Sequence, residues 1–181
     1  MLEANSAVLL VIDVQEKLFR IMYQKEKLVD NLQRLIKWIK VLGIPVLVTE
    51  QYPQGLGATI QEIAPLLTDI RPLPKVSFSC CGDSAFLQEL KAFDRQQVLI
   101  SGIESHVCVY QTAYDLINGG YEVYTVGDVI SSRTEENLKI GLKMMNQLGA
   151  KLTSTEAVLF ELLKVAEGDK FKAISRIVKW F

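Results

Sequence analysis

The feature that most constrains this chain is an alternation of short apolar runs with helical patterns. Residues 7–12, AVLLVI, form a continuous apolar run rich in β-branched residues, the pattern of a strand buried on both faces. Leucine and isoleucine recur at helical spacing over residues 28–42, Gly43 follows at a C-cap position, and residues 45–49 begin a second strand. Such alternation predicts a three-layer α/β fold around a parallel sheet.

The second half of the chain repeats the pattern. The predicted elements are a strand over 97–102, a helix over 106–118, a strand over 121–126, a helix over 135–148, a short strand over 151–153, and helices over 155–165 and 170–178. We expect the apolar residues of 170–181 to dock on the core or on another subunit. No repeat or second domain is visible, so residues 1–181 are predicted to form a single domain.

Residues 51–84 are the least regular stretch and hold four of the five prolines. The pattern indicates a short helix near 60–67 and a strand near 71–76. A connection of this length inside a compact domain is often functional.

Charge and cysteine usage exclude several function classes. The 20 basic and 21 acidic residues nearly cancel and form no long block, so no nucleic-acid partner is expected. The longest apolar run is far below the roughly 20 residues of a membrane helix. Three cysteines, two of them adjacent, suggest no disulfide framework, which favours a cytoplasmic location. One histidine excludes a zinc site built from several imidazoles.

Chemistry is expected beyond the carboxyl ends of the strands, where the strand order of an open parallel sheet reverses. Asp13 ends the first strand, and the segment 102–108 connects a later strand to its helix. Cys108 falls in the first turn of that helix, where the dipole and unpaired N–H groups are expected to stabilise a thiolate. The alternative is a small buried side chain with no chemical role.

Asp13 and Lys75 also have ordinary alternatives. Asp13 can cap the turn after its strand or bind a metal, and an isolated lysine such as Lys75 is usually a solvated surface charge. Together with Cys108 they supply a nucleophile, a carboxylate that can remove its proton, and a cation that holds a negative charge.

Four segments resemble the isochorismatase-like cysteine hydrolases, in that family's order. They are AVLLVIDVQEKLF (7–19), GIPVLVTEQYPQGLG (43–57), LPKVSFSC (73–80) and SGIESHVCVYQTAYDL (101–116). The likeness is greatest to the metal-free isochorismatase-domain proteins. It implies a six-stranded parallel sheet of order 3-2-1-4-5-6, an Asp13-Lys75-Cys108 triad, no cofactor, and assembly into a homo-oligomer.

The resemblance also implies a mechanism. Cys108 attacks a carbonyl to form a thioester, Asp13 shuttles the proton, Lys75 orients both, and water releases an acid. A cis peptide bond at 103–104 would turn the backbone N–H groups of Glu104 and Cys108 toward the substrate oxygen. The Glu104 side chain would add a carboxylate to the pocket mouth and favour a basic or neutral substrate.

Two activities of the wider family fit this sequence poorly. Metal-dependent nicotinamidases carry a D-x-H pair and a further histidine, where this chain has Gln15 after Asp13 and Glu50, Gln51 and Tyr52 after the second strand. Isochorismatases proper lack the nucleophilic cysteine that Cys108 provides.

Several residues near the predicted loops are candidates for the pocket. Phe19, Tyr52, Phe78 and Tyr110 would either wall a small flat substrate or pack in the core. Gln15 is a candidate for substrate binding or a cap partner, and His106 either touches substrate or satisfies the backbone of its turn. Cys80 and Cys81 receive no function.

The sequence therefore predicts an amidase-type hydrolase of a small molecule. One alternative is a protein that binds a metabolite or partner without turnover and keeps a redox-sensitive cysteine. Another is a hydrolase of a different bond, such as a vinyl ether or a carbamate.

Overall fold

The computed structural model describes residues 1–178, which contain a six-stranded sheet in which neighbouring strands run parallel. Its strands are β1 (Ala7–Ile12), β2 (Val46–Gln51), β3 (Leu73–Lys75), β4 (Gln97–Ile103), β5 (Glu122–Ser131) and β6 (Lys151–Thr153). They lie in the order β3-β2-β1-β4-β5-β6, so the predicted fold class and strand order are confirmed.

Helices cover both faces of the sheet. They are α1 (Glu16–Phe19), α2 (Lys25–Val41), α3 (Pro53–Leu56), α4 (Ser84–Ala92), α5 (Tyr110–Asn118), α6 (Glu135–Gln147), α7 (Thr155–Leu163) and α8 (Gly168–Val178), with 3₁₀ turns over Ala64–Leu66 and Cys80–Gly82. The apolar stripes of α2 and α7 pack with Leu9 and Val11 on one face, and those of α4 and α5 pack with Val8 and Leu10 on the other. Alternate residues of β1 thus enter two separate cores, which explains its unbroken apolar run.

Two predicted elements differ from the structure, and one helix was not predicted. Strand β5 continues through Gly127 and Asp128 to Ser131, whereas the prediction stopped at residue 126 because these two residues are typical of turns. The Asp83 side chain caps α4, a helix that the sequence analysis missed, by accepting bonds from two backbone N–H groups. The helix expected over residues 60–67 is only the 3₁₀ turn Ala64–Leu66.

The C-terminal helix packs on the core through Ile174, which is 2% exposed and belongs to the cluster that includes α2. The predicted docking on another subunit stays a prediction, and its residues 179–181 lie outside the described part of the chain. Across residues 1–178, no helix is long and apolar enough to cross a membrane.

Strands β1 and β4 are neighbours in the sheet although they are far apart in sequence, and the strand order reverses between them. Ile12 pairs with Gly102, so the residues that follow these two strands emerge side by side. Gly102 has φ +115°, and a Cβ there would lie 2.1 Å from the carbonyl oxygen of Ile12. Glycine is therefore required where the two strands end.

Candidate active site

Asp13 directly follows β1 and is completely buried. Its φ of +53° is left-handed, a conformation that aspartate tolerates better than most residues. Its Oδ1 accepts a hydrogen bond from the Thr49 hydroxyl at 2.7 Å, and its Oδ2 accepts one from Lys75 Nζ at 2.7 Å. The carboxylate is therefore held from two neighbouring strands.

Lys75 is the last residue of β3, and its side chain is 1% exposed. Besides Asp13, its ammonium group donates to Gln51 Oε1 at 2.6 Å and to the carbonyl oxygens of Ser77 and Phe78 at 3.2 and 3.0 Å. Four oxygens surround three N–H donors, so the buried charge is both paired and fully hydrogen-bonded. The surface alternative for Lys75 is wrong.

Cys108 lies in a π-helical turn, Ser105–Val109, that leads directly into α5, and it is 6% exposed. Burial raises the pKa of its thiol to about 12, and the negative charge of Asp13 and a hydrogen bond with it add to this, while the positive charge of Lys75 lowers it. The expectation of a resting thiolate is therefore wrong. The thiol keeps its proton and lies beside the carboxylate of Asp13.

Asp13 thus bridges the other two candidate residues, with Lys75 on one side and the Cys108 thiol on the other. The arrangement can move the thiol proton to the carboxylate when the sulfur attacks an electrophile. Lys75 keeps the local charge balanced while this happens.

Glu104 begins the π-helical turn, and its carbonyl oxygen accepts hydrogen bonds from Val107 N and Val109 N. The Ile103–Glu104 peptide bond is cis. The Glu104 carboxylate accepts bonds from Arg133 Nε at 3.0 Å and Arg133 N at 3.3 Å. The expected extra carboxylate at the pocket mouth is therefore paired with an arginine, which offsets its charge.

His106 is half-buried, and its Nδ1 lies 3.1 Å from the Ser132 hydroxyl. Ser132 Oγ also accepts a bond from Ser105 N at 3.0 Å and lies 2.7 Å from Ser105 Oγ. These contacts hold the turn against the residues that follow β5. The His106 ring thus contacts a side-chain hydroxyl, whereas the alternative from the sequence named backbone groups of its turn, and contact with substrate stays a prediction.

Gln15 is completely buried and its amide is already occupied by backbone groups. Its Nε2 donates to the carbonyl oxygens of Gln51 and Gly57, and its Oε1 accepts from Gln51 N at 2.7 Å. The side chain ties the loop after β1 to the end of β2. It is placed to position these loops, both of its Nε2 donors are already used, and direct contact with substrate stays a prediction.

The aromatic candidates fall in different places. Phe19 is buried in the core cluster on the α2 face, whereas Cys108 belongs to the cluster on the opposite face. Tyr52 and Phe78 are each 55% exposed and adjoin Lys75, because Tyr52 N donates to its carbonyl oxygen and the Phe78 carbonyl accepts from its ammonium group. Tyr110 is half-buried and lines a groove of about 270 Å³ on α5.

Phe19 therefore packs in the core, the alternative that the sequence left open, and its contact with substrate stays a prediction. The apolar pattern of residues 14–19 gave no sign of which face of the sheet it would enter.

Two further surface cavities, of about 870 and 710 Å³, lie elsewhere. Neither is lined by Asp13, Lys75 or Cys108. Within the described residues, no group of three or more His, Cys, Asp or Glu side chains could hold a metal ion.

Thr49 contacts Asp13 directly and Gln51 contacts Lys75 directly, although neither was predicted to belong to the site. Their only signal was position, since both are polar residues at the carboxyl end of an apolar strand next to β1. Cys80 was also left without a role, and its Sγ lies 3.7 Å from Thr49 Oγ1.

Comparison with known proteins identifies relatives along nearly the whole chain. Residues 7–157 match the family model described as Isochorismatase domain. Isochorismatase domain-containing protein 2 of Danio rerio is 37% identical over 177 residues, covering 98% of this chain and 89% of the relative. The secreted isochorismatase effector Isc1 of Phytophthora sojae is 36% identical over 184 residues, covering 97% and 85%.

A solved structure described as the MAR1 ribonuclease of Caenorhabditis elegans superposes with a TM-score of 0.92. It is 35% identical, and the match covers 98% of this chain and 92% of that protein.

Proposed function

Because the chain belongs to the isochorismatase-like family, we propose that it is a cysteine hydrolase that cleaves an amide-type C–N bond of a small molecule. The observation that carries the proposal is the buried contact of the Cys108 thiol with Asp13, whose other side is paired with Lys75 at 2.7 Å. This arrangement supplies a nucleophile together with its base.

In the proposed reaction, Cys108 Sγ attacks the substrate carbonyl while its proton passes to Asp13. The tetrahedral intermediate collapses as Asp13 gives this proton to the departing nitrogen, which leaves an acyl thioester and a free amine or ammonia. Asp13 then removes a proton from water, the hydroxide attacks the thioester, and the carboxylic acid departs as Cys108 regains its proton. No cofactor is consumed.

The developing oxyanion would be bound by the backbone N–H groups of Glu104 and Cys108. Both belong to the turn that Ser105 and Ser132 hold in place. Loss of one oxyanion donor costs about 100- to 1000-fold in rate in a well-studied hydrolase, so the rigidity of this turn would matter directly.

Small, flat or apolar acyl groups suit the surroundings best. Tyr52, Val76 and Phe78 are exposed around Lys75, and the one ionic group at the turn, Glu104, is paired with Arg133. Tyr52 and Phe78 are accordingly the residues that we expect to contact substrate.

RNA should be tested as a substrate, because the C. elegans relative is described as a ribonuclease. This chain has almost equal numbers of acidic and basic residues, and the lysine at its site is enclosed by protein oxygens. Phosphate backbones are bound by accessible basic side chains. The surroundings therefore favour a small neutral substrate over RNA.

We also propose a homo-oligomer in the cytoplasm. Val76 is an apolar side chain that is 83% exposed, of the kind that subunit contacts cover, and Cys80, Cys81 and Cys108 are all free thiols. Light scattering tests the proposed assembly. Cell fractionation tests the proposed cytoplasmic location, which would differ from that of the Phytophthora relative, described as secreted.

The first experiment measures alkylation of each cysteine by iodoacetamide at pH 7, with the site located by mass spectrometry. Cys81 is an internal control, since burial raises its pKa to about 12 as well, but it is more exposed and Asp13 is not its neighbour. We expect Cys108 to react faster than Cys81, because Asp13 removes its proton during attack. Asp13→Asn should lower the Cys108 rate by about 100-fold or more, the usual contribution of a general base.

The second experiment incubates the protein with a panel of small carboxamides, a carbamate, a vinyl ether and an oligoribonucleotide. An acyl adduct on Cys108 by intact mass, and its absence in Cys108→Ala, would support the amidase. Turnover that survives in Cys108→Ala would refute it. An inert Cys108 without turnover would favour a binding protein in which this cysteine only packs, whereas a reactive Cys108 without turnover would favour the binding protein with a redox-sensitive thiol.

A further inference from the structure

Thr49 is a buried residue of β2 that holds Asp13 in two ways. It is 1% exposed, and its hydroxyl donates to Asp13 Oδ1 at 2.7 Å. Its carbonyl oxygen accepts from Asp13 N at 3.2 Å. One residue therefore fixes both the backbone of Asp13 and one oxygen of its carboxylate.

The two hydrogen bonds to the carboxylate come from opposite oxygens, Thr49 on Oδ1 and Lys75 on Oδ2. Rotation of the carboxylate plane would break at least one of them. The lone pairs of the Asp13 carboxylate therefore have a fixed direction before the Cys108 thiol transfers its proton. Proton transfer depends steeply on such alignment.

Cys80 sets the direction of the Thr49 hydrogen bond. Its Sγ donates to Thr49 Oγ1 at 3.7 Å, and its backbone N is held by Thr112 Oγ1 at 3.0 Å. Burial and the charge of Asp13 raise the pKa of Cys80 to about 11, so it remains a protonated donor. With its oxygen accepting from Cys80, the one hydroxyl proton of Thr49 is directed to Asp13.

We propose that Thr49 is a positioning residue that orients Asp13 for proton transfer from Cys108. The inference rests on the proposed function, because it gives Thr49 a role only if Asp13 is the base. The competing explanation is that Thr49 merely fills space between β1 and the Cys80 turn.

Two substitutions separate these explanations. Thr49→Val keeps the shape of the side chain and removes the hydroxyl, whereas Thr49→Ser keeps the hydroxyl and removes a methyl group. Alkylation of Cys108 by iodoacetamide at pH 7 and the melting temperature are measured for each full-length variant. Since hydrogen bonds to charged groups are among the stronger ones, we expect Thr49→Val to lower the Cys108 rate about tenfold or more. Thr49→Ser should stay within about threefold of the unsubstituted protein, even if it melts at a lower temperature.

The inference is overturned if Thr49→Val reacts like the unsubstituted protein, or if Thr49→Ser is the slower of the two. If Thr49→Val fails to fold, Thr49→Ala is used in its place. Cys108 must then be alkylated about tenfold faster in Thr49→Ser than in Thr49→Ala. Asp13→Asn keeps the two proposals distinct. A normal rate in Asp13→Asn would refute the proposed function, whereas a slow Asp13→Asn beside a normal Thr49→Val would refute the role of Thr49 alone.

Discussion

Replacing Lys75 by methionine should strongly destabilise the fold, because it leaves the Asp13 carboxylate buried without its counter-charge. The Lys75 and Asp13 side chains are 1% and 0% exposed, so water cannot replace the lost partner. Removing one member of a buried ion pair costs about 3 to 5 kcal/mol. For a domain of this size, each kcal/mol lowers the melting temperature by about 2 to 4 °C, so the expected fall is roughly 6 to 20 °C.

Equilibrium unfolding in urea measures this loss, with Lys40→Met as the matched control. Lys40 pairs with Asp69, but both side chains are substantially exposed, so its loss should change stability far less. The double variant Asp13→Asn with Lys75→Met should be more stable than Lys75→Met alone, since the unpaired charge is gone. A loss below about 1 kcal/mol in Lys75→Met, or strictly additive effects in the double variant, would refute the account of a buried, coupled pair.

Two further predictions concern the same end of the sheet. Gly102→Ala should destabilise the fold by about 3 kcal/mol or more in urea unfolding, because its Cβ would lie 2.1 Å from the Ile12 carbonyl oxygen. Gly120→Ala is the control, since Gly120 also has a positive φ but has open space around it, and should cost only about 1 to 2 kcal/mol. Equal losses in the two variants would contradict the steric clash at Gly102. The pKa of Cys108 rises from 9.0 in an unperturbed thiol to about 12, so between pH 9 and 12 the unfolded state loses the proton that the folded state keeps. The unsubstituted protein should therefore lose stability relative to Cys108→Ala by up to about 1.4 kcal/mol per pH unit above pH 9, and a gain with rising pH would refute the raised pKa.

The sheet was predictable because its strands are encoded locally. Residues 7–12 are apolar on both faces, and the carboxyl end of such a strand must lie at the edge where loops meet. The extension of β5 beyond residue 126 was not predictable, since Gly127 and Asp128 lie in a register shift of the β4–β5 ladder, and pairing with β4 resumes only beyond them at Ile130 and Ser131. The strand order itself came from family resemblance, because spacing along the chain does not say which strands are neighbours.

The three candidate catalytic residues were identified from the sequence, but their supporting contacts were not. Thr49, Gln51 and Gln15 are polar residues whose importance depends on β1, β2 and β3 being adjacent. Nothing in their own segment distinguishes a threonine that holds a carboxylate from one that merely favours a strand. For Phe19 the sequence left core packing and a pocket wall open, and the structure places its side chain in the core cluster on the α2 face.

The protonation state of Cys108 shows why charge must be counted over the whole site. The helix start alone favours a thiolate, yet the enclosed region already contains one carboxylate and one ammonium group in contact. A thiolate would add an unpaired negative charge beside Asp13, and burial makes this costly. A thiol that gives up its proton only as it attacks keeps the site neutral before substrate arrives. The proposed chemistry therefore depends on the contact between Cys108 and Asp13 more than on the helix dipole, and substitutions that disturb this contact should impair alkylation even where the helix start is unchanged.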